Sequence, residues 1–155
     1  MDIAQLLATD GVVLRSGASS KRQALHTVAD TAARALGLNE DRILESLLER
    51  EALGSTGLGS GVAVPHARVE SLERIVAVFV RLDTPVAYDA VDDRPVDLIF
   101  ALFAPPSDGA EHLRALAAVS RALRSSEMRQ QLRQARTADA ILALFVKDTA
   151  PATAA

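Results

Sequence analysis

The chain has no cysteine and no tryptophan, and only one tyrosine and four phenylalanines among 155 residues. Without thiols there is no disulfide, no thiol nucleophile and no cysteine-ligated metal. So few aromatics leave no platform on which nucleic-acid bases could stack. Positive charge is not concentrated either: 17 Lys and Arg are interspersed among 20 Asp and Glu, for a net charge of −3. That distribution argues against a general nucleic-acid binder. The apolar runs fall well short of the ~20 residues that span a bilayer. The N-terminus, MDIAQLLATDGVV, carries an aspartate where a secretory signal has basic residues. The expectation is a cytoplasmic protein without membrane insertion. Three histidines at 26, 66 and 112 without paired spacing make a poor metal site, so neither a metal nor a cofactor is expected.

What the chain does have is a glycine-rich segment between a helix and a strand. From Arg50 to Arg68 it reads REALGSTGLGSGVAVPHAR, with Gly54, Gly57, Gly59 and Gly61 interleaved with Ser55 and Thr56. Glycines at this density permit positive φ and let main-chain N–H groups form an anion-binding nest. Pro65 then fixes the chain just before His66. The segment lacks the Gly-Lys-Ser/Thr ending of a nucleotide loop and precedes a strand rather than a helix. Ser55 does not sit in a Gly-x-Ser-x-Gly elbow, so a hydrolase triad has little support.

Periodicity supplies the framework. Val12–Leu14 reads as a short strand. Ser20 caps a helix, with Gln23 in the reciprocal capping position, a buried stripe of Leu25, Val28, Ala29, Ala32 and Leu36, and a stop at Gly37. His26 lies beside that stripe, as a surface or boundary residue. Asn39 caps a second helix burying Ile43, Leu44, Leu47 and Leu48, with a left-handed cap expected at Gly54. Arg50 falls at the edge of the apolar face. Its stem could cover apolar surface while its charge favours the helix C-terminus, or it could reach over the loop as an anion clamp; spacing favours neither.

RIVAVFVRL at 74–82 and VDLIFALF at 96–103 read as strands buried on both faces. Thr84-Pro85 is expected to break the first, leaving Val86–Asp93 as an edge strand or loop. Two such strands require helices on both faces of a sheet. Asp108 is expected to cap a helix that places His112, Leu116, Val119 and Leu123 on one inward face. A histidine on such a face is commonly a satisfied core residue; near a helix N-terminus it also suits a neutral imidazole that donates to a bound phosphoryl group. Two further helices are expected, at about 126–135 and 137–145. One domain over residues 1–147 and a loose tail over 148–155 complete the organisation.

Among the chemistries weighed, a histidine nucleophile remains. A neutral imidazole accepts a phosphoryl group without a metal if nearby donors neutralise the moving charge. His66 would be the nucleophile, Arg50 the clamp, Ser55, Thr56 and the loop amides the donors, and His112 a second imidazole.

At these residues the chain resembles the enzyme IIA proteins of the bacterial phosphotransferase system, fructose/mannitol class, and within it the nitrogen-related branch. The pattern is Arg50-Glu51-x-x-Gly54-Ser55-Thr56-Gly57-x-Gly59-x-Gly61-x-Ala63-x-Pro65-His66, followed by Leu82-Asp83-Thr84-Pro85, Pro95-Val96-Asp97-Leu98-Ile99-Phe100-Ala101-Leu102 and His112-Leu113-x-x-Leu116. The resemblance implies an α/β domain with a mixed sheet sandwiched between helices. It implies that His66 takes a phosphoryl group, on Nε2, from a histidine-containing phosphocarrier protein, either HPr or its nitrogen-related paralogue. His112 assists without being phosphorylated, and Arg50 stabilises the phosphate, with Ser55, Thr56, Gly57 and Arg68 as further phosphate-binding candidates. The sequence departs from the family at Ala67, where glycine is usual, and at Arg68, where lysine is common. Alanine resists positive φ.

The resemblance implies regulatory work on targets such as transporters or sensor kinases, set by phosphorylation state. Two alternatives stand beside it. One is a sugar-specific IIA that hands phosphate to a IIB partner. The other is a non-catalytic module of the same fold that holds an anion.

Overall fold

The computed structural model describes residues 1–107 and 109–149, with side chains described to Val146. Its elements in chain order are α1 (Ile3–Leu6), β1 (Leu7–Ser16), α2 (Lys21–Leu36), α3 (Glu40–Ala52), β2 (Gly57–Gly59), β3 (Val62–Ala63), β4 (His66–Arg68), β5 (Val76–Val86), β6 (Val96–Ala104), α4 (Gly109–Arg124), α5 (Ser126–Gln134) and α6 (Ala138–Thr149). The strands form one mixed sheet in the order β1-β5-β6-β3-β2, with β4 also on β6. β1 runs parallel to β5, β5 antiparallel to β6, and β3 and β4 parallel to β6.

Alternation in the two central strands sorts their side chains into two cores. Val76, Val78, Val80 and Leu82 of β5 join Ile99, Ala101 and Phe103 of β6 under α2 and α3. Ala77 and Phe79 join Leu98, Phe100, Leu102 and Ala104 under the C-terminal helices, where Ala115, Val119, Leu132, Ile141 and Phe145 complete the second core. Each buried Val, Leu or Phe contributes roughly 1.5–3 kcal/mol. Three of the four phenylalanines meet edge-on in this second core: Phe145 lies 6.1 Å from Phe79 and 5.2 Å from Phe100 between ring centroids. Helices cover both faces, as the continuous apolar strands require.

Several local expectations hold. Ser20 accepts from Gln23 N, Asn39 accepts from Arg42 N, and Gly37 closes α2 at φ 68°. His26 is exposed and lies 3.6 Å from Glu40. Others need correction. The Gln23 side chain returns to Ser19, accepting from its N–H and its hydroxyl, rather than to Ser20. Helix α3 ends on Leu53 in the right-handed region, and Gly54 follows at φ 151°.

Strand β5 also runs through Thr84-Pro85 to Val86 rather than breaking there. Its pairing with β1 stops at Leu82, and its register with β6 is irregular between Arg81 and Val86. Pro85 therefore sits in a stretch with one neighbour only, where a missing N–H costs no ladder bond. Sequence periodicity missed α1 and β2: the first is a single turn capped by Asp2, the second is Gly-Leu-Gly. The expected cap Asp108 lies outside the described residues, as do residues 150–155 of the expected tail, while α6 reaches Thr149. Among the described residues no helix is long and apolar enough to cross a membrane.

Candidate functional site: a paired-histidine pocket

Residues 62–68 run along β6 in constant register. Val62 pairs with Leu98, Ala63 with Ile99, His66 with Leu102, Ala67 with Phe103 and Arg68 with Ala104. Pro65 interrupts the ladder but keeps the lane, since its carbonyl accepts from Leu102 N at 3.0 Å. His66 is therefore held by a central strand of the sheet. Ala67 is buried in the strand and is not among the residues with positive φ, so an extended backbone follows His66 and alanine fits it.

The two ring nitrogens of His66 have different partners. Nδ1 lies 3.0 Å from the Val64 carbonyl oxygen, and Nε2 lies 3.1 Å from Arg50 Nε. A carbonyl can only accept and a guanidinium can only donate. Nδ1 thus carries the proton and Nε2 the lone pair. Burial holds the proton affinity of His66 below the usual imidazole value; the Val64 bond raises it, Arg50 lowers it and Glu51 raises it. The net direction is downward, which keeps the ring neutral and nucleophilic near pH 7.

His112, from the first turns of α4, stands edge-on to His66 with ring centroids 5.3 Å apart and planes at 86°. It is buried, and its Nε2 has no hydrogen-bond partner. Burial lowers its proton affinity first, then the neighbouring His66 and Arg68. An orphaned buried nitrogen is costly unless a ligand completes it.

A cavity of about 280 Å³ opens on these groups, lined by Arg50, His66, Ala67, Arg68, Gly109, His112, Leu113 and Leu116. Among the described residues its lining carries two guanidinium groups and no carboxylate. Arg50 sits in the last turn of α3, where Nη1 donates to Gly54 O at 2.8 Å while Nε reaches His66. Arg50 therefore ties the loop beyond α3 to the helix and at the same time faces the imidazole. Arg68 reaches across to Pro106 O, at 2.6 Å. A larger groove of about 770 Å³ between α3 and residues 68–71 shares Arg68 with this cavity.

The structure brings together His66, His112, Arg50 and Arg68, but not Ser55, Thr56 and Gly57, which do not line the cavity. Ser55 Oγ donates to Tyr88 O and accepts from Gly57 N. Thr56 is buried, and both its N–H and its hydroxyl are directed to Glu51. Two of the glycines make room for close packing. A Cβ on Gly57 would lie 2.7 Å from Ala90 Cβ and 2.9 Å from Ala90 Cα. Gly61, at φ 81°, leaves room for the Arg133–Asp97 ion pair. Glycine density alone could not separate close packing from anion binding. Glu51, beside Arg50 in the same motif, binds both polar groups of Thr56 although nothing in its local sequence marks it out. Among the described residues no cluster of His, Asp and Glu could hold a metal ion.

A strand-held imidazole whose Nε2 lone pair accepts from Arg50, beside Arg68 and a second imidazole, has the positive charge and the donors that an anion next to a histidine requires. The chain belongs to the family described as phosphoenolpyruvate-dependent sugar phosphotransferase system, EIIA 2, which residues 5–148 match. It is 43% identical over 155 residues to a nitrogen regulatory protein of Bradyrhizobium diazoefficiens, with all of both chains covered. The crystal structure of nitrogen regulatory protein IIA-Ntr from Neisseria meningitidis superposes with a TM-score of 0.87 at 33% identity, covering 92% of this chain and 98% of that one. The enzyme IIA mannitol of Escherichia coli, in a complex with phosphorylated enzyme IIB mannitol, shares the fold at TM-score 0.76 and 22% identity, over 92% of this chain and 99% of that one.

Proposed function

We propose that this chain is a phosphocarrier of the nitrogen-related phosphotransferase system, which accepts a phosphoryl group on His66 Nε2 and regulates other proteins according to whether that group is present. The observation that carries this reading is the committed tautomer: Val64 holds the proton on Nδ1, so the lone pair on Nε2 faces the arginine-lined cavity. The chain acts in the cytoplasm, and its donor is a phosphohistidine on a carrier protein, HPr or a nitrogen-related paralogue. Exposed Leu113 at the cavity and exposed Leu53 just beyond α3 suit a protein donor better than a small molecule.

In the transfer step the Nε2 lone pair attacks phosphorus while the donor's N–P bond breaks and its electron pair returns to the donor ring. The Arg50 N–H that now meets the lone pair passes its hydrogen bond to a phosphoryl oxygen. Positive charge that develops on the His66 ring is shared through Nδ1–H with the Val64 carbonyl. His112 Nε2 donates to a second phosphoryl oxygen and so gains the partner it lacks, and Arg68 adds positive charge at the rim. Stabilisation by preplaced donors is the main catalytic effect open to such a site.

The regulatory branch is favoured over a sugar-specific IIA by full-length similarity to a nitrogen regulatory protein at 43% identity. The targets, such as transporters or sensor kinases, would sense a dianion placed beside Leu113 and Arg68. The test is 31P NMR of the protein after incubation with phosphoenolpyruvate, enzyme I and the carrier. A single resonance assigned to an Nε2-phosphorylated histidine is expected, and an Nδ1-phosphorylated species would overturn the tautomer argument.

A further inference from the structure

Glu51 follows Arg50 on α3, and its side chain is buried, at 5% exposed. Its carboxylate collects donors from three separate segments. Lys21 Nζ of α2 lies 2.9 Å from Oε2, and Thr56 N lies 3.1 Å from the same oxygen. Tyr88 OH donates to Oε1 at 3.2 Å, and the Thr56 hydroxyl donates to Oε1 as well. Lys21 also sits 4.6 Å from the centroid of the Tyr88 ring. Tyr88 is fully buried, and burial together with Glu51 pushes its hydroxyl far above its usual range, so it stays a donor.

A carboxylate with this many donors fixes what it touches. It pins the 54–57 loop to the last turn of α3, and that loop supplies the Gly54 carbonyl on which Arg50 Nη1 rests. A displaced carbonyl would release the guanidinium whose Nε meets His66. Burying an ion pair is in itself weak support for stability, so its position one residue from Arg50 calls for another reason. We propose that Glu51 is a positioning residue for phosphoryl transfer: by gathering Lys21, Thr56 and Tyr88 it fixes the Gly54 carbonyl that holds Arg50 against His66 Nε2.

This inference rests on the phosphocarrier reading for its kinetic consequence, but its structural half can be read without any phosphate. The experiment compares wild type with Glu51→Gln and Lys21→Met. Three quantities are measured: the ¹⁵N shifts of His66 in the unphosphorylated protein, the rate and KM for transfer from the phosphorylated carrier, and Tm. Glu51→Gln is expected to shift His66 Nε2 as Arg50 leaves it, and to slow transfer at least about tenfold with KM little changed, the scale on which a misplaced group costs rate. Lys21→Met is expected to move both readouts in the same direction by less. Wild-type shifts and wild-type transfer in a folded Glu51→Gln protein would overturn the proposal. Should Glu51→Gln fail to fold, the same two readouts in Lys21→Met decide it in the same way. If the wild type takes no phosphate at all, the phosphocarrier reading fails while the His66 shifts still decide the role of Glu51.

Discussion

Arg50 Nε and His66 Nε2 stand 3.1 Å apart, joined between the end of helix α3 and the start of strand β4. A guanidinium on the lone pair of an imidazole is the wrong partner for a general base, because it opposes protonation. It is the right partner for a nucleophile that must stay unprotonated until phosphorus arrives, and then needs a cation beside it. From this relationship come most of the functional predictions.

Removing the guanidinium leaves the nucleophile in place without charge stabilisation. Arg50→Ala should slow transfer by about 10²-fold, the usual scale for one preorganised donor. Arg50→Lys should recover only part of the rate, since an ammonium cannot reach both Gly54 O and His66 with a rigid fork. Stopped-flow or quench-flow transfer kinetics would check this, and wild-type rates in the alanine variant would reduce Arg50 to a helix cap.

His112 stands edge-on to His66 at 5.3 Å between ring centroids, and its partnerless Nε2 fits a donor. His112→Ala should slow transfer while His66 remains phosphorylatable. Peptide mapping at alkaline pH after phosphorylation should find label at residue 66 alone in both proteins. Label at residue 112 in the wild type would contradict the division of roles.

Acidification offers a test by linkage. His66 and His112 both have proton affinities below the ordinary imidazole value of 6.5 in the folded protein. Between the folded value and 6.5 the unfolded chain binds more protons, so stability rises with pH in that window. The contribution is fully present above 6.5, is lost as pH falls through that range, and is gone below the folded values. Histidine titration by NMR should therefore give midpoints under 6.5 for both rings, and the transfer rate should hold its plateau down to about pH 6.5.

The glycine segment offers a contrast between packing and binding. Gly57→Ala forces a Cβ against the backbone of Ala90, so a loss of about 1–3 kcal/mol in unfolding free energy is expected. Ser55→Ala removes the bonds to Tyr88 O and Gly57 N and should cost about 1 kcal/mol, yet leave transfer close to wild type. Chemical denaturation paired with transfer kinetics distinguishes these from a phosphate-binding role, in which Ser55→Ala would lose rate without losing stability.

The two central strands and the major helices were legible because their signals are local: continuous β-branched runs, capping residues and a 3.6-residue apolar stripe. His66, Arg50 and His112 were named as a set through the family resemblance, because spacing alone left Arg50 and His112 each with a purely structural alternative. Contacts that depend on a distant partner were not legible. Nothing in Ser55-Thr56-Gly57 announces that Tyr88, Ala90 and Glu51 will occupy its polar groups and its open face. Pro85 likewise reads as a break until the end of β1 at Ser16 leaves its side of β5 without a partner. The orientation of Glu51 was hidden for the same reason, since its donors come from positions 21, 56 and 88.

The most direct test of the central claim is intact-mass spectrometry at neutral to alkaline pH. Wild type and His66→Ala would each be incubated with phosphoenolpyruvate, enzyme I and the phosphocarrier protein. The account predicts one acid-labile phosphoryl group on the wild type, none on the variant, and nearly equal Tm for the two. An unmodified wild type, with the same donor shown to phosphorylate another IIA protein, would contradict it and leave a fold that holds an anion without passing phosphate.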